Sequence, residues 1–350
     1  MMSRMVTFFL LLLLLPILYV GGLIVLAYVT RYQPQPVELL SVQRNPVGLV
    51  TDSTFRFLIW NLGYGGLGEK ADFFYDGGKR VRSPKEEVER NQQGIRQFLS
   101  EQSPDFILLQ EADRGSRRSW YIDQASDLAD ALPGYGWSFA VNYDVPFVPV
   151  PYTQPMGKVY GGLLSFHRYA VSQASRVQLP IQENFPDYLF YLQRCLLVQR
   201  VPLANGKELV VINTHFEAYD DGQVKREQMA FTKKILGEEY GKGNYVVLGG
   251  DWNISPPDVD PFHFAVEQET DYKNIRVEAD FMPGWSFACD STTATNRKLK
   301  TAYNRGKTFT TVIDYFLLSP NLEIEKVKGI DLGFTYSDHQ PVLLQAKLKQ

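Results

Sequence analysis

The chain has only two cysteines, Cys195 and Cys289, far apart and without a Cys-x-x-Cys spacing. That excludes a disulfide framework and the usual thiolate zinc patterns, and leaves two free thiols as the plain expectation. Basic residues are not in excess either: 36 Lys and Arg stand against 39 Asp and Glu, for a net charge of -3 and a pI near 5.9. A domain made to wrap nucleic acid usually has a pI above about 9, so a generally basic surface is excluded, while a local basic groove is not. Internal repeats are absent, and a leucine run at 10–15 is the one low-complexity tract. What remains, 45% hydrophobic and 21% charged residues over 350 positions, is an ordinary globular composition with apolar material for a large core.

The first thirty residues depart from this composition. Residues 5–29 carry no charge. A helix needs about 20 apolar residues to cross a bilayer, whereas a cleaved signal has an apolar stretch of about 7–15 ending in a small-residue site, and no such site is found here. The expectation is an N-terminal transmembrane helix within 1–30, making a single-pass membrane protein. Arg4 and the free amine on one flank nearly balance Arg31 and Arg44 on the other; we expect the short tail inside and the large domain on the extracytoplasmic side. Residues 31–53, with Pro34, Pro36 and Pro46 among polar neighbours, read as an extended linker. Residues 54–350 then form the main domain.

Within that domain strands alternate with helices. Strands are expected at 55–60, 106–109, 162–166, 195–201, 209–213, 245–248, 310–318 and 342–347, from short runs of β-formers. A helix is expected at 86–102 with Val88, Ile95, Phe98 and Leu99 on one face, ended by Pro104. Another is expected at 223–236 with Val224, Phe231 and Ile235 on one face. Asn205-Gly206 between two strands signals a hairpin. Sustained βαβ repeats are missing, so the class is α+β, with stacked, largely antiparallel sheets flanked by helices.

The informative feature is where the polar residues fall. Ile59-Trp60 runs into Asn61. Leu108-Leu109 runs into Gln110-Glu111, and Val211-Ile212 into Asn213-Thr214-His215. Val247-Leu248 is followed by Gly249-Gly250-Asp251-Trp252-Asn253, Val312-Ile313 by Asp314, and Ser337-Asp338-His339 precedes the last strand. Each apolar run delivers an acid, amide or imidazole to a strand end, where a rigid scaffold holds a reachable side chain. Singly, each has an ordinary explanation as a turn, a cap or a solvated end. Together, carboxylates, amides and histidines without a cysteine form the hard, oxygen-rich set that Mg²⁺ or Mn²⁺ prefers.

The ordered string Trp60-Asn61, Leu108 to Glu111, Asn213 to Phe216, Gly249 to Asn253, Ile313 to Ser319 and Ser337 to Pro341 resembles the endonuclease/exonuclease/phosphatase superfamily, over roughly residues 55–348. That group holds pancreatic-type deoxyribonucleases, apurinic/apyrimidinic endonucleases, inositol polyphosphate 5-phosphatases and neutral sphingomyelinases. The resemblance implies a four-layered α/β sandwich with two packed mixed β-sheets, and a phosphoesterase dependent on a divalent metal. It implies that Glu111 holds the ion, with Asn61 and Asp338 in support. Asp251 would orient or deprotonate the attacking water, and Asn253 would hold phosphoryl oxygens. His339, paired with Asp314, would sit beside the phosphate, and His215 would be a second donor. Trp252 is bulkier than the residue often found between that Asp and Asn. The sequence has Phe166-His167-Arg168 where the family often has Ser-Arg; His167 is expected to be structural, and Arg168 is left open between phosphate contact and surface. Asn253-Ile254-Ser255 fits a glycosylation pattern but overlaps the site. The glycines at 63, 65, 66 and 68 lack a following Lys-Ser/Thr, so they are expected to make a flexible rim and not a nucleotide cradle.

Three functions follow from this reading. The favoured one is hydrolysis of a lipid headgroup ester or other small phosphoester. The second is a nuclease, supported by the basic runs Lys79, Arg80, Arg82 and Arg297, Lys298, Lys300, Arg305, Lys307. The third is a catalytically silent scaffold, for which the complete polar set would be needless. The aromatic and proline-rich stretch 142–160, with Phe147 and Tyr152, is expected to be a stiff loop serving as a lid or a lipid wedge.

Overall fold

The computed structural model describes residues 2–48, 50–181, 184–220, 222–264 and 276–349, with side chains from Leu14 onward. In chain order the elements are α1 (Met2–Thr30), β1 (Val37–Leu40), β2 (Thr54–Asn61), α2 (Lys85–Gln102), β3 (Phe106–Asp113), α3 (Gln124–Ala131), β4 (Gly136–Val148), β5 (Gly157–His167), β6 (Gln173–Gln178), β7 (Cys195–Pro202) and β8 (Glu208–His215). There follow α4 (Gln223–Gly241), β9 (Tyr245–Asp251), β10 (Ser286–Ala288), β11 (Asn296–Arg297), β12 (Thr310–Thr311), β13 (Asp314–Leu318), β14 (Leu322–Gly329) and β15 (Val342–Leu348).

Alternation along the strands builds the layers, because successive side chains point to opposite faces. Phe57, Ile59, Phe106 and Leu108 from one sheet meet Leu209, Val211, Val247, Phe316 and Leu318 from the other in a shared inner core. Their neighbours Leu58, Trp60, Ile107 and Leu109 face outward onto Ile95, Phe98 and Leu99 of α2 and Leu128 of α3. Val210, Ile212, Val246 and Leu248 face outward onto Met229 and Leu236 of α4. The result is four layers: helices, sheet, sheet, helix. One sheet runs β14-β15-β2-β3-β5-β4, the other β1-β6-β7-β8-β9-β13-β10. Both are mixed. β2 and β3 are parallel across α2, and β8 and β9 are parallel across α4, while the other ladders are antiparallel. The expected sandwich of two packed mixed sheets flanked by helices is what forms.

Several elements differ from expectation. α2 has its expected apolar face, with Glu86 and Glu87 in the first turn, where carboxylates suit the helix dipole. α4 does not: Phe231 is exposed and Met229, Thr232 and Leu236 are buried. Polar side chains on that inner face find partners, which rotates the helix. Gln228 donates to the Pro180 carbonyl and accepts from the Glu217 amide, and Lys225 donates to the Asn253 carbonyl. The stretch 142–160 is not a free loop; most of it is the β4–β5 hairpin, with Tyr143, Val145, Val148 and Val159 buried. Tyr152 at its tip is exposed, and Phe147 borders Leu23, Leu26 and Ala27 of α1. Residues 31–53 do not form a spacer throughout, since β1 pairs with β6 as an edge strand. α1 forms as a helix from Met2 to Thr30. Among the described residues, however, no helix is long and apolar enough to cross a membrane, so the expected transmembrane span is not found there. Both cysteines are free, and burial pushes each thiol up to about 11.

Candidate active site

The parallel registers place the carboxyl ends of four strands on one rim. Asn61 pairs with Gln110 at the end of β2 and β3, and His215 with Asp251 at the end of β8 and β9. β13 is antiparallel to β9, so it starts where β9 ends, and Asp314 faces Asp251 in register. The turn before β15 brings Asp338 and His339 to the same place. Asn61, Glu111, His215, Asp251, Asn253, Asp314, Asp338 and His339, up to 278 residues apart in sequence, are thus gathered in one site.

Their contacts are close. Asn61 Nδ2 donates to Asp251 Oδ2 at 3.0 Å and to Glu111 Oε1 at 3.2 Å. His215 Nε2 is 3.4 Å from Asp251 Oδ2 and 4.0 Å from Glu111 Oε1. His339 Nδ1 is 2.9 Å from Asp314 Oδ2, and its Nε2 is 3.7 Å from Asp251 Oδ2 and 3.9 Å from Asp338 Oδ2. The Asn253 amide N–H donates to Asp251 Oδ1 at 2.9 Å, while its side chain donates to the Phe216 carbonyl. Two of these residues have left-handed backbones, Glu111 with φ 52° and Asn253 with φ 50°. For a non-glycine residue this costs about 1–3 kcal/mol, and such positions cluster where a side chain must be re-aimed. At Glu111 the cause is a bulge in β3 between Leu109 and Ala112 against β5.

Burial and crowded charge set the protonation states. Burial alone would lower His339, but the Asp314, Asp251 and Asp338 carboxylates outweigh it and hold the imidazole well above its ordinary value. His215 goes the other way: burial, then Arg194, His339 and Arg118, push it well below. The site therefore holds one cationic and one neutral imidazole, and the neutral one still donates with a single ring N–H. The Asp338 carboxyl is pushed up to about 7, first by burial and then by Glu111 and Asp76, against the pull of His339 and Arg297.

These residues fit a hard divalent cation. Glu111, Asp338 and Asp251 offer carboxylate oxygens, while the Asn61 side-chain oxygen accepts from the Gly63 N–H; a cation would relieve the repulsion from Glu111 and Asp76 that adds to burial in raising Asp338. Asp251, Asp314 and His339 also bring ligand atoms within 4.8 Å of one another. Because His339 Nδ1 is engaged by Asp314, we read that group as an imidazole held by its carboxylate.

A cavity of about 270 Å³ opens beside these residues. Its other walls are largely apolar and aromatic, including Leu67, Phe73, Tyr143, Met156, Tyr191 and Leu299, and Arg118 and Arg194 also line it. Tyr75 and Tyr219, from different loops, face each other at a centroid distance of 5.7 Å and border the cavity. Tyr143 and Met156 come from the stretch 142–160 expected as a lid, whereas Phe73, Tyr191, Arg194 and Asn296 (whose amide lies 3.0 Å from His339 Nε2) were not expected. None of them stands at the end of an apolar strand followed by a polar motif, so the sequence carried no signal for them.

Other expectations are settled by position. His167 and Arg168 lie at the opposite end of the sheet, where His167 pairs with Phe106 at the start of β3 and Arg168 covers the Tyr135 ring. The glycine loop is a buried tight turn, not a flexible rim. Gly63 has φ +48°, and a Cβ there would lie 2.6 Å from Asp338 Oδ1. Trp252 fills the outer core, stacked on Tyr315 at 4.7 Å. The basic runs are largely engaged. Arg80 pairs with Asp72 and Glu87, Arg82 stacks on Trp120, Arg305 pairs with Asp331, and buried Arg297 donates to the Leu67, Gly68 and Ala71 carbonyls.

A two-sheet sandwich with this convergence of carboxylates, amides and imidazoles on one rim defines a hydrolase of phosphate ester bonds. The chain belongs to the Endonuclease/Exonuclease/phosphatase family, whose sequence model it matches over residues 58–339. Among proteins of curated function, none matches it. Solved structures share the fold. One is an endonuclease/exonuclease/phosphatase from Beutenbergia cavernae, 18% identical, with a TM-score of 0.59 over 85% of this chain and 72% of that one. Another, from Bacteroides vulgatus, is 18% identical, with a TM-score of 0.52 over 85% and 100%. A third is ANGEL2, a 2',3'-cyclic phosphatase, 14% identical, with a TM-score of 0.54 over 91% and 100%.

Proposed function

We propose that this phosphoesterase cleaves a compact phosphoester by metal-assisted attack of water, and that a lipid headgroup is its favoured substrate. The reading is carried by the cavity, which has hydrolytic groups on one side and apolar and aromatic walls on the other. Such a space suits a small ester more than a long polymer.

Glu111 and Asp338, with Asn61, would hold Mg²⁺ or Mn²⁺. A divalent cation bound there withdraws charge from the phosphoryl oxygens and makes a nearby water more acidic. The chain's own residues do the rest. Asp251 accepts the proton of the attacking water, held in orientation by Asn61 and by the Asn253 amide N–H. Cationic His339, fixed by Asp314, faces the developing negative charge, and His215 adds a neutral donor. Asn253 supports the phosphoryl oxygens from the loop after β9.

Three observations support the membrane side of the reading. Residues 5–29 are uncharged. The end of α1 packs near the β4–β5 hairpin through Leu26 and Ala27. A second cavity of about 600 Å³ begins at Arg31, Tyr32 and Pro34, where α1 ends, and shares Tyr191 with the first. We therefore infer an N-terminal membrane anchor, with the catalytic domain on the extracytoplasmic side.

The test is a substrate panel on the full chain in detergent, with Mg²⁺ or Mn²⁺. It compares phospholipid vesicles, inositol phosphates, an aryl phosphodiester, plasmid DNA and RNA. Turnover of the lipid or small esters above that of nucleic acid is expected. Rapid plasmid cleavage without lipid turnover would replace this reading with a nuclease.

A further inference from the structure

Arg194 is the buried cation that the site as described leaves unused. It precedes β7, whose Leu196 pairs with Thr214 of β8, so it lies one strand from His215 on the same rim. Its side chain is only 3% exposed and borders the cavity. Among the described residues, its Nε and Nη1 have no hydrogen-bond partner. The nearest carboxylate, Glu217 Oε2, is 3.7 Å from Nε, too far for a hydrogen bond. Glu217 is itself occupied: its Oε1 accepts from Tyr191 Oη at 2.7 Å and from the Ala218 and Tyr219 amides. Burial disfavours the charged guanidinium, yet Glu217, Tyr191, Glu111 and Asp251 hold it ionised.

A buried guanidinium with unsatisfied N–H groups is costly unless something completes it. Its unpartnered Nη1, part of a charge held in a fixed plane, suits a charge-assisted hydrogen bond to a phosphoryl oxygen. Resting on the phosphoesterase reading, we infer that Arg194 donates to a non-bridging oxygen of the bound phosphoryl group, from the wall of the cavity bordered by β7. Glu217 then acts as a positioning residue, which sets the guanidinium and orders the loop carrying Tyr219. The phosphoryl group is gripped from two sides, by His339 with the residues around Glu111 and by Arg194, and the rest of the substrate extends along the aromatic wall.

Binding of inorganic phosphate to the full chain, measured by calorimetry with Mg²⁺ present, tests this without relying on turnover. Arg194→Gln is expected to weaken phosphate binding by about 10- to 100-fold, the worth of a charged hydrogen bond. Arg194→Lys, which keeps the charge and loses the fork, is expected to fall between and covers the case in which the Gln variant fails to fold. Glu217→Gln keeps the guanidinium and is expected to weaken phosphate less than Arg194→Gln does. With an ester substrate, KM should rise in Arg194→Lys more than kcat falls. Unchanged phosphate affinity in folded Arg194→Gln or Arg194→Lys, or equal losses in Arg194→Gln and Glu217→Gln, would make Arg194 a loop anchor only. No phosphate binding by the unsubstituted chain would overturn the phosphoesterase reading along with it.

Discussion

At the scale of single residues, the site is a set of groups whose protonation states are pushed apart by burial and by each other. Glu111 carries the negative charge proposed to hold the cation. Glu111→Gln keeps the shape and removes that charge, so activity at low Mg²⁺ is expected to fall by at least about 100-fold with folding intact. Full activity of the variant in EDTA would sink the assignment. Asp251 and His339 are 3.7 Å apart and are expected to act as one unit. Asp251→Asn and His339→Ala should each lose most of the rate, and the double variant little more; losses that multiply would show independent roles. Asp314 supplies part of the field that keeps His339 protonated. Activity that needs the imidazolium is lost as pH rises through the His339 pKa. Asp314→Asn lowers that pKa, so the alkaline limb of the pH–rate profile is expected to move to lower pH. An unmoved limb would show that another group controls it.

At the scale of elements, tight turns and polar pairs between the sheets hold these residues in place. Gly63 turns the chain after β2 with a left-handed backbone pressed against Asp338. Gly63→Ala adds about 1–3 kcal/mol of strain and displaces the Asp338 carboxylate. Loss of activity out of proportion to the change in Tm is expected. Asn213 lies between the sheets, accepting from Gln110 Nε2 at 2.7 Å and donating to the Leu109 carbonyl at 3.0 Å. Asn213→Leu removes both bonds, leaving Gln110 Nε2 only the Leu108 carbonyl, and is expected to cost about 1–3 kcal/mol in urea unfolding. At the far end of β5, burial pushes His167 down to about 4, with its ring Nδ1 2.8 Å from the Tyr169 carbonyl. The folded pKa lies below the unfolded one, so the unfolded chain takes up the proton first. Stability is therefore lost as pH falls from about 6.5 to about 4, by up to roughly 3 kcal/mol, and no further below that. His167→Gln should flatten that decline between pH 7 and pH 4.5; an unchanged slope would show that other groups dominate it.

At the scale of the whole molecule, the Tyr75–Tyr219 pair that borders the cavity is the feature proposed to disfavour long substrates. Replacing both with Ala is expected to raise cleavage of single-stranded oligonucleotides relative to an aryl phosphodiester. An unchanged ratio would mean that the pair does not select. Full-length chain is expected to sediment with membranes and resist carbonate extraction, and a soluble form starting near residue 30 would show a cleaved signal instead. Much of the rest was legible in the sequence. The strands ending in Asn61, Glu111, His215 and Asp251 were visible because β-formers run directly into residues that a buried strand avoids, and the two parallel pairs then put those ends on one rim. The rotated face of α4 was not legible, because Gln228 and Lys225 look like surface residues until Pro180, Glu217 and Asn253 come within reach. Nor was the edge strand β1, whose four residues alternate weakly and take their place by pairing with β6. The sequence by itself determined the layered α+β class and the chemical identity of the site, since local alternation and strand-end polarity are one-dimensional patterns. The shape of the cavity, the aromatic pair that borders it and the unsatisfied Arg194 were decided by tertiary structure alone, because each depends on which distant loops meet, and no local pattern encodes that.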